Sequence, residues 1–157
     1  MHSVQFKILR IPCATLVVAL FITGAPAADS VKISGVWARA TAPGQTTAVV
    51  YMEVKSAATA ALVAAGTPLA GRAEFHSMTM EGGVMRMRAL PRVDLPAGKT
   101  VKLAPGGAHL MLIDLKSPLR PGDKVPLVLS VQSPGNSLIT LKINAEVRPI
   151  TDSQHNH

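Results

Sequence analysis

Short stretches of alternating apolar and polar residues, each closed by glycine, proline or asparagine, run through most of the chain. Val31 to Arg39 and Thr46 to Lys55 carry β-branched and aromatic residues in partial alternation, and the Ala42-Pro43-Gly44 turn divides them. Further strands are predicted near Ala61–Ala65, Arg72–Met80, Val84–Leu90, Lys99–Leu103, Ala108–Leu115, Val125–Gln132 and Leu138–Val147. Turn-forming groups separate nearly all of them: Gly66-Thr67-Pro68, Glu81-Gly82-Gly83, Leu95-Pro96-Ala97-Gly98, Pro105-Gly106-Gly107, Pro121-Gly122-Asp123 and Ser133-Pro134-Gly135-Asn136. Many short strands with a turn about every ten residues predict an all-β sandwich or barrel. The alanine-rich patch Ala57–Ala65 also admits a helical turn, and no internal repeat is visible.

The pattern changes at both ends. Met1 to Arg10 carries Lys7 and Arg10 and no acid, Ile11 to Ile22 is apolar, and Ala25-Pro26-Ala27 has the small-x-small form of a cleavage signal. Residues 1–27 therefore read as a secretory signal peptide cut after Ala27. The apolar run, about a dozen residues, is too short to span a bilayer as a retained helix. Lipidation would call for a cysteine after that run, whereas Cys13 stands near its beginning. Residues 28–148 read as one β domain, long enough to bury a core. The polar end, residues 149–157, follows Pro149 as a flexible tail.

Composition narrows the chemistry. Cleavage removes Cys13, the only cysteine, so the exported chain has no disulfide, zinc-thiolate site or cysteine nucleophile of its own. The full chain holds 16 basic and 9 acidic residues; loss of Lys7 and Arg10 leaves 14 basic residues and a charge of +5. These are spread out, with no run beyond alternating Arg86 and Arg88, and aromatics are few. That excludes a stacking platform for single-stranded nucleic acid, while mild positive charge favours an acidic protein partner.

Candidate chemistry is concentrated between Ala73 and Leu115. His76 is followed after ten residues by Met87, after twenty-one more by His109, and after one more by Met111. Five of the seven methionines lie in this window, the others being Met78, Met80 and Met85. Imidazole suits several transition metals, but thioether sulfur is soft and selects Cu(I) over zinc, magnesium or calcium. Thioethers also cannot form disulfides in an oxidising exported compartment, although they can become sulfoxides. The segment reads as a copper site.

Strand alternation places some of these donors. Leu110 and Leu112 share one face of their strand and His109 and Met111 the other, so leucines in the core would put both donors outward, about 7 Å apart along the strand. Glu74, His76 and Met78 alternate with Ala73 and Phe75 in the same way. Met85 and Met87 sit opposite Arg86 and Arg88, a pattern that by itself predicts both methionines buried. Spacing to the two histidines favours Met87 as a ligand, while Met85 reads as core filler and Met78 and Met80 as shielding or rim residues.

The spacing His76, Met87, His109, Met111 resembles the signature of the periplasmic copper chaperones of the PCu(A)C family. Neighbouring text is similar too: Ala70-Gly71-Arg72, His76-Ser77-Met78, Glu81-Gly82-Gly83-Val84-Met85, Leu95-Pro96-Ala97-Gly98, and Pro105 through Leu112. Trp37-Ala38-Arg39, Tyr51-Met52, Pro118-Leu119 and Gly122-Asp123 extend the resemblance over Val31 to Val147. It implies a cupredoxin-like Greek-key β-sandwich, a monomer, that binds one Cu(I) per chain. It also implies delivery of copper in the periplasm to the copper A subunit of cytochrome c oxidase, alongside a thioredoxin-like Sco protein. The tail departs from the longer His- and Met-rich extensions of some members, offering only His155 and His157.

Neutral thioethers and imidazoles add no charge to Cu(I), so a thiolate-bearing acceptor should take the ion downhill. Blue-copper electron transfer needs a cysteine ligand, and no Ser-His-Asp pattern supports a hydrolase. The expected role is a carrier and not an enzyme. A copper-storing or resistance protein uses the same donors, and a copper redox enzyme is the third reading.

Overall fold

A computed structural model of the chain describes residues 30–150; the signal-peptide reading, Cys13, His155 and His157 all lie outside the described residues. Ten strands fill this span: β1 Val31–Arg39, β2 Thr47–Ser56, β3 Ala60–Gly66, β4 Ala70–Glu81, β5 Val84–Ala89, β6 Val93–Leu95, β7 Thr100–Leu103, β8 His109–Leu115, β9 Lys124–Gln132 and β10 Leu138–Arg148. The predicted strands thus form within a residue or two of their expected ends. The alanine-rich patch is extended from Ala60 onward, with Ala60, Ala61 and Leu62 buried. Small side chains let β3 lie close in a packed layer, and this packing overrides alanine's helical preference. β6, only three residues long, is an additional strand held against β3.

Hydrogen bonding runs along one path, β5-β4-β8-β2-β1-β10-β9-β3-β6, with β7 also paired to β2. β2 divides one edge between two partners, Thr47–Val50 lying against β8 and Met52–Lys55 against β7. β1 and β10, the first and last strands, pair in parallel, whereas every other pairing is antiparallel. The register of β1 on β2 shifts between Ser34 and Trp37, where Gly35 takes a positive φ of 57°. Glycine accepts that conformation without a Cβ penalty, so the bulge bends β1 between its two pairings. The path curls until β3 packs near β4, giving two layers over one core.

Each layer contributes alternate residues to that core. β9 alternates strictly, with Val125, Leu127, Leu129 and Val131 buried and the residues between them more exposed. Val50, Met52, Val54, Phe75, Leu110 and Leu112 come from β2, β4 and β8. Antiparallel sheets commonly bury one face and hydrate the other. The outer face of β4 and β8 thereby becomes available for chemistry, because Phe75, Leu110 and Leu112 anchor the inner face.

Candidate metal centre

The geometry begins with strand register. β4 and β8 are antiparallel, and His76 stands directly opposite His109, with Phe75 opposite Leu110 and Glu74 opposite Met111. Because side chains alternate, burying Phe75, Leu110 and Leu112 turns Glu74, His76, His109 and Met111 to the other face together. The two imidazoles have ring centroids 6.0 Å apart and planes inclined by 45°. His109 is only 2% exposed, and the His76 side chain is 13% exposed. The pair faces away from the core yet is covered, a departure from the open position expected of an outward strand face.

Each imidazole has one nitrogen engaged and one without a partner. His76 Nε2 lies 3.2 Å from Glu74 Oε2, and His109 Nδ1 lies 3.1 Å from the Gly107 carbonyl oxygen. His76 Nδ1 and His109 Nε2 are buried and have no hydrogen-bond partner. An acceptor at the engaged nitrogen places the proton there and leaves a lone pair on the other, the usual arrangement of a histidine metal ligand. A buried polar atom without a partner calls for an explanation, and a metal supplies one.

The loop before β8 holds this arrangement. Gly106 takes a positive φ of 80° in the Pro105-Gly106-Gly107 turn, and Gly107 N–H donates to Ala104 O at 3.1 Å. The Gly107 carbonyl then accepts the Met78 N–H of β4 at 3.3 Å as well as facing the His109 ring. One carbonyl therefore ties the two histidine-bearing strands. Glu74 also faces Arg72, whose Nη1 is 3.3 Å from Glu74 Oε1, so its carboxylate is held from both sides.

Thioethers surround the imidazoles unevenly. Met111, half-buried, follows His109 on the same face of β8. Met87 lies on β5 opposite Met78, and Met85 lies opposite Met80. Since Met78 shares the face of His76, all four methionines of the β4–β5 hairpin share it too. The burial expected for Met85 and Met87 is overturned: they are 57% and 48% exposed. β5 is an edge strand exposed at all six positions, with no second layer over either face among the described residues, so an alternating pattern there has no core to point into. Its arginines take the opposite face, where Glu81 meets Arg88 at 2.8 Å and Arg86 at 3.4 Å.

Register brings His76, His109 and Met111 onto adjoining positions of β4 and β8, and places Met87 one strand further out, diagonal to His76, with Met78 between. On the β2 side, Tyr51 follows Val50, the partner of Leu110, and so shares the histidine face. Its ring centroid is 4.7 Å from that of Trp37, over which Arg148 sits at 5.4 Å. Burial pushes the Tyr51 hydroxyl above its ordinary value of 10.0, with the Arg39 charge pulling it back in part. Glu74 and Gly107 were not singled out as functional by sequence; the i, i+2 spacing of Glu74 from His76 was the available signal for the first.

Comparison with known proteins decides the family. The model of the family described as "Putative lipoprotein LpqE-like" matches residues 31–143, and the copper-bound PCuAC domain from PmoF2 superposes with a TM-score of 0.61. The chain belongs to this PCuAC copper-chaperone family. It is 25% identical to the PmoF2 domain, over 76% of this chain and 93% of that one. The solution structure of Cu(I)-bound DR1885 from Deinococcus radiodurans is 32% identical with a TM-score of 0.57, over 73% of this chain and 75% of that one. A further relative, "Putative lipoprotein Lxx21020" of Leifsonia xyli subsp. xyli (strain CTCB07), is 32% identical over 132 residues, covering 83% of this chain and 80% of the relative. The PCuAC chain described here has the cupredoxin-like β-sandwich of these neighbours.

Proposed function

We propose that this protein is an exported copper chaperone that holds one Cu(I) through His76, Met87, His109 and Met111 and delivers it to the copper A centre of cytochrome c oxidase. The observation that carries the reading is the pair of buried, unpartnered nitrogens, His76 Nδ1 and His109 Nε2, on directly opposed strand positions beside thioethers. Imidazole with thioether, and no carboxylate free of its own partner at the pair, suits a soft monovalent ion better than zinc, magnesium or calcium. Copper in the names of the structural neighbours is consistent with it.

The ion is cargo. Four neutral donors hold Cu(I) without charge neutralisation, so a partner presenting cysteine thiolates takes it downhill, with a thioredoxin-like Sco protein as a second participant. His109 contributes rigidity because it is packed and hydrogen-bonded, while Met87 on the exposed edge strand is the donor a partner can reach first. The protein acts as a monomeric carrier in the periplasm, reached through the leader at residues 1–27. Lipoprotein belongs to the names of relatives; here Cys13, the only cysteine, precedes most of the apolar run and is a poor lipidation site.

Transfer to a purified oxidase copper A domain tests the proposal. The expected result is a copper A absorption spectrum appearing in the acceptor as copper leaves the chaperone, with Sco present if the acceptor cysteines need reduction. Copper that stays on this protein against that acceptor would mark it as a storage or resistance protein instead.

A further inference from the structure

The hairpin formed by β4 and β5 is divided sharply between its two faces. One carries the Glu81, Arg86 and Arg88 ion pairs. The other carries Met78 opposite Met87 and, one step nearer the tip, Met80 opposite Met85. The tip itself is a two-residue turn, Gly82-Gly83, with φ of 59° and 79°, the geometry of a tight hairpin whose strands cannot slip in register. Four thioethers therefore form two fixed rungs that lead outward from the His76–His109 pair.

The ordinary reason for methionine in a strand is to fill a core. It does not apply to the outer rung, since Met80 is 67% exposed and Met85 is exposed beside it. Among the described residues, exposed large hydrophobic side chains are few, and three of them, Met80, Met85 and Met87, stand together on this one face of the hairpin, while Val84, opposite Glu81, lies on the other. A contiguous exposed apolar group signals a binding function. Here the group on this face is made of thioethers, and its chemistry names the ligand more narrowly than apolarity would.

We propose that Met80 and Met85, with Met78 behind them, form a second, outer site for a soft monovalent ion, separate from the histidine pair. Directly opposed residues on antiparallel strands have Cβ atoms about 4.5–5.5 Å apart, and methionine adds flexible reach beyond Cβ, so two opposed sulfurs can close on one ion. Glu81 lies on the opposite face, engaged by two arginines, so no hard carboxylate competes for the ion's selectivity. Neutral thioethers alone bind more weakly than a mixed imidazole site, so the outer rung fills second. The site extends the copper-carrier reading and rests on it for its biological meaning, but its binding chemistry is measurable independently.

The test is titration of the full protein with Ag(I), a redox-inert soft ion, observed through the methionine methyl resonances, with native mass spectrometry for stoichiometry. A second equivalent is expected to shift the Met80 and Met85 methyls while the core Met52 methyl stays still. Met80→Leu with Met85→Leu should lower the bound ions from two to one and leave the first equivalent unaffected. His109→Ala should lose the first site yet keep the Met80 and Met85 response, which separates failure of the outer site from failure of the inner one. Stationary Met80 and Met85 methyls at two equivalents, or two ions retained by the double leucine variant, would overturn the proposal.

Discussion

Glu74 offers the sharpest test of how the imidazoles are prepared for metal. Its carboxylate lies 3.2 Å from His76 Nε2, while His109 Nδ1 faces the Gly107 carbonyl. The two histidines should consequently be opposite tautomers in the apo protein, His76 carrying its proton on Nε2 and His109 on Nδ1. Removing an outer partner of a metal-binding histidine typically costs 10–100-fold in affinity, or about 1.4–2.7 kcal/mol. The Glu74 side chain is 37% exposed, so water can take over part of its role, and Glu74→Ala should fall near the tenfold end. Glu74→Gln keeps an acceptor oxygen and should recover most of the loss. Stability should hardly change, because the Arg72–Glu74 pair is exposed and such pairs contribute little. Competitive Cu(I) titration in reductant measures the affinity, and long-range proton–nitrogen NMR of the imidazoles reads the tautomers. Wild-type affinity in Glu74→Ala, or an apo His76 protonated on Nδ1, would refute the reasoning.

Met111→Leu should keep the fold, as a volume-conserving change costing under about 1.5 kcal/mol, yet lose most tight Cu(I) binding. Met87→Leu should lose less, because Met78 stands between Met87 and His76; the same competition assay ranks them, and the opposite order would displace Met111 as a principal ligand. The apo protein should show a native β spectrum by circular dichroism, since Phe75, Leu110 and Leu112 pack without metal, and copper at 100 times its Kd should add about 2.7 kcal/mol of stability by linkage. Tyr51 is the single tyrosine, so ultraviolet titration reports it alone. Its folded pKa is raised by burial, so its contribution to stability is present below 10.0 and is lost as pH rises through the folded value. Tyr51→Phe should make denaturant midpoints flatter across that alkaline range, and an unchanged slope would dismiss the burial effect.

Sequence alone placed the strands and singled out the candidate donors, because both are local properties. Alternation within a strand has a period of two, so Leu110 and Leu112 against His109 and Met111 assigned the faces of β8 without reference to any other segment. The spacing of His76, Met87, His109 and Met111, with thioether softness, pointed to copper in the same way. Tertiary structure decided which of these residues meet. His76 and His109 are far apart in sequence, and only the β4–β8 register sets them opposite one another and leaves Nδ1 of one and Nε2 of the other without partners. The face of Met85 and Met87 was equally out of reach, since alternating Met and Arg looks the same on a covered strand as on a bare one. β5 lies at the sheet edge with no layer packed on it among the described residues, so the methionines that a pattern would bury stand in solvent on the histidine face. Burial belongs to the neighbours a strand acquires, and periodicity within the strand carries no record of them.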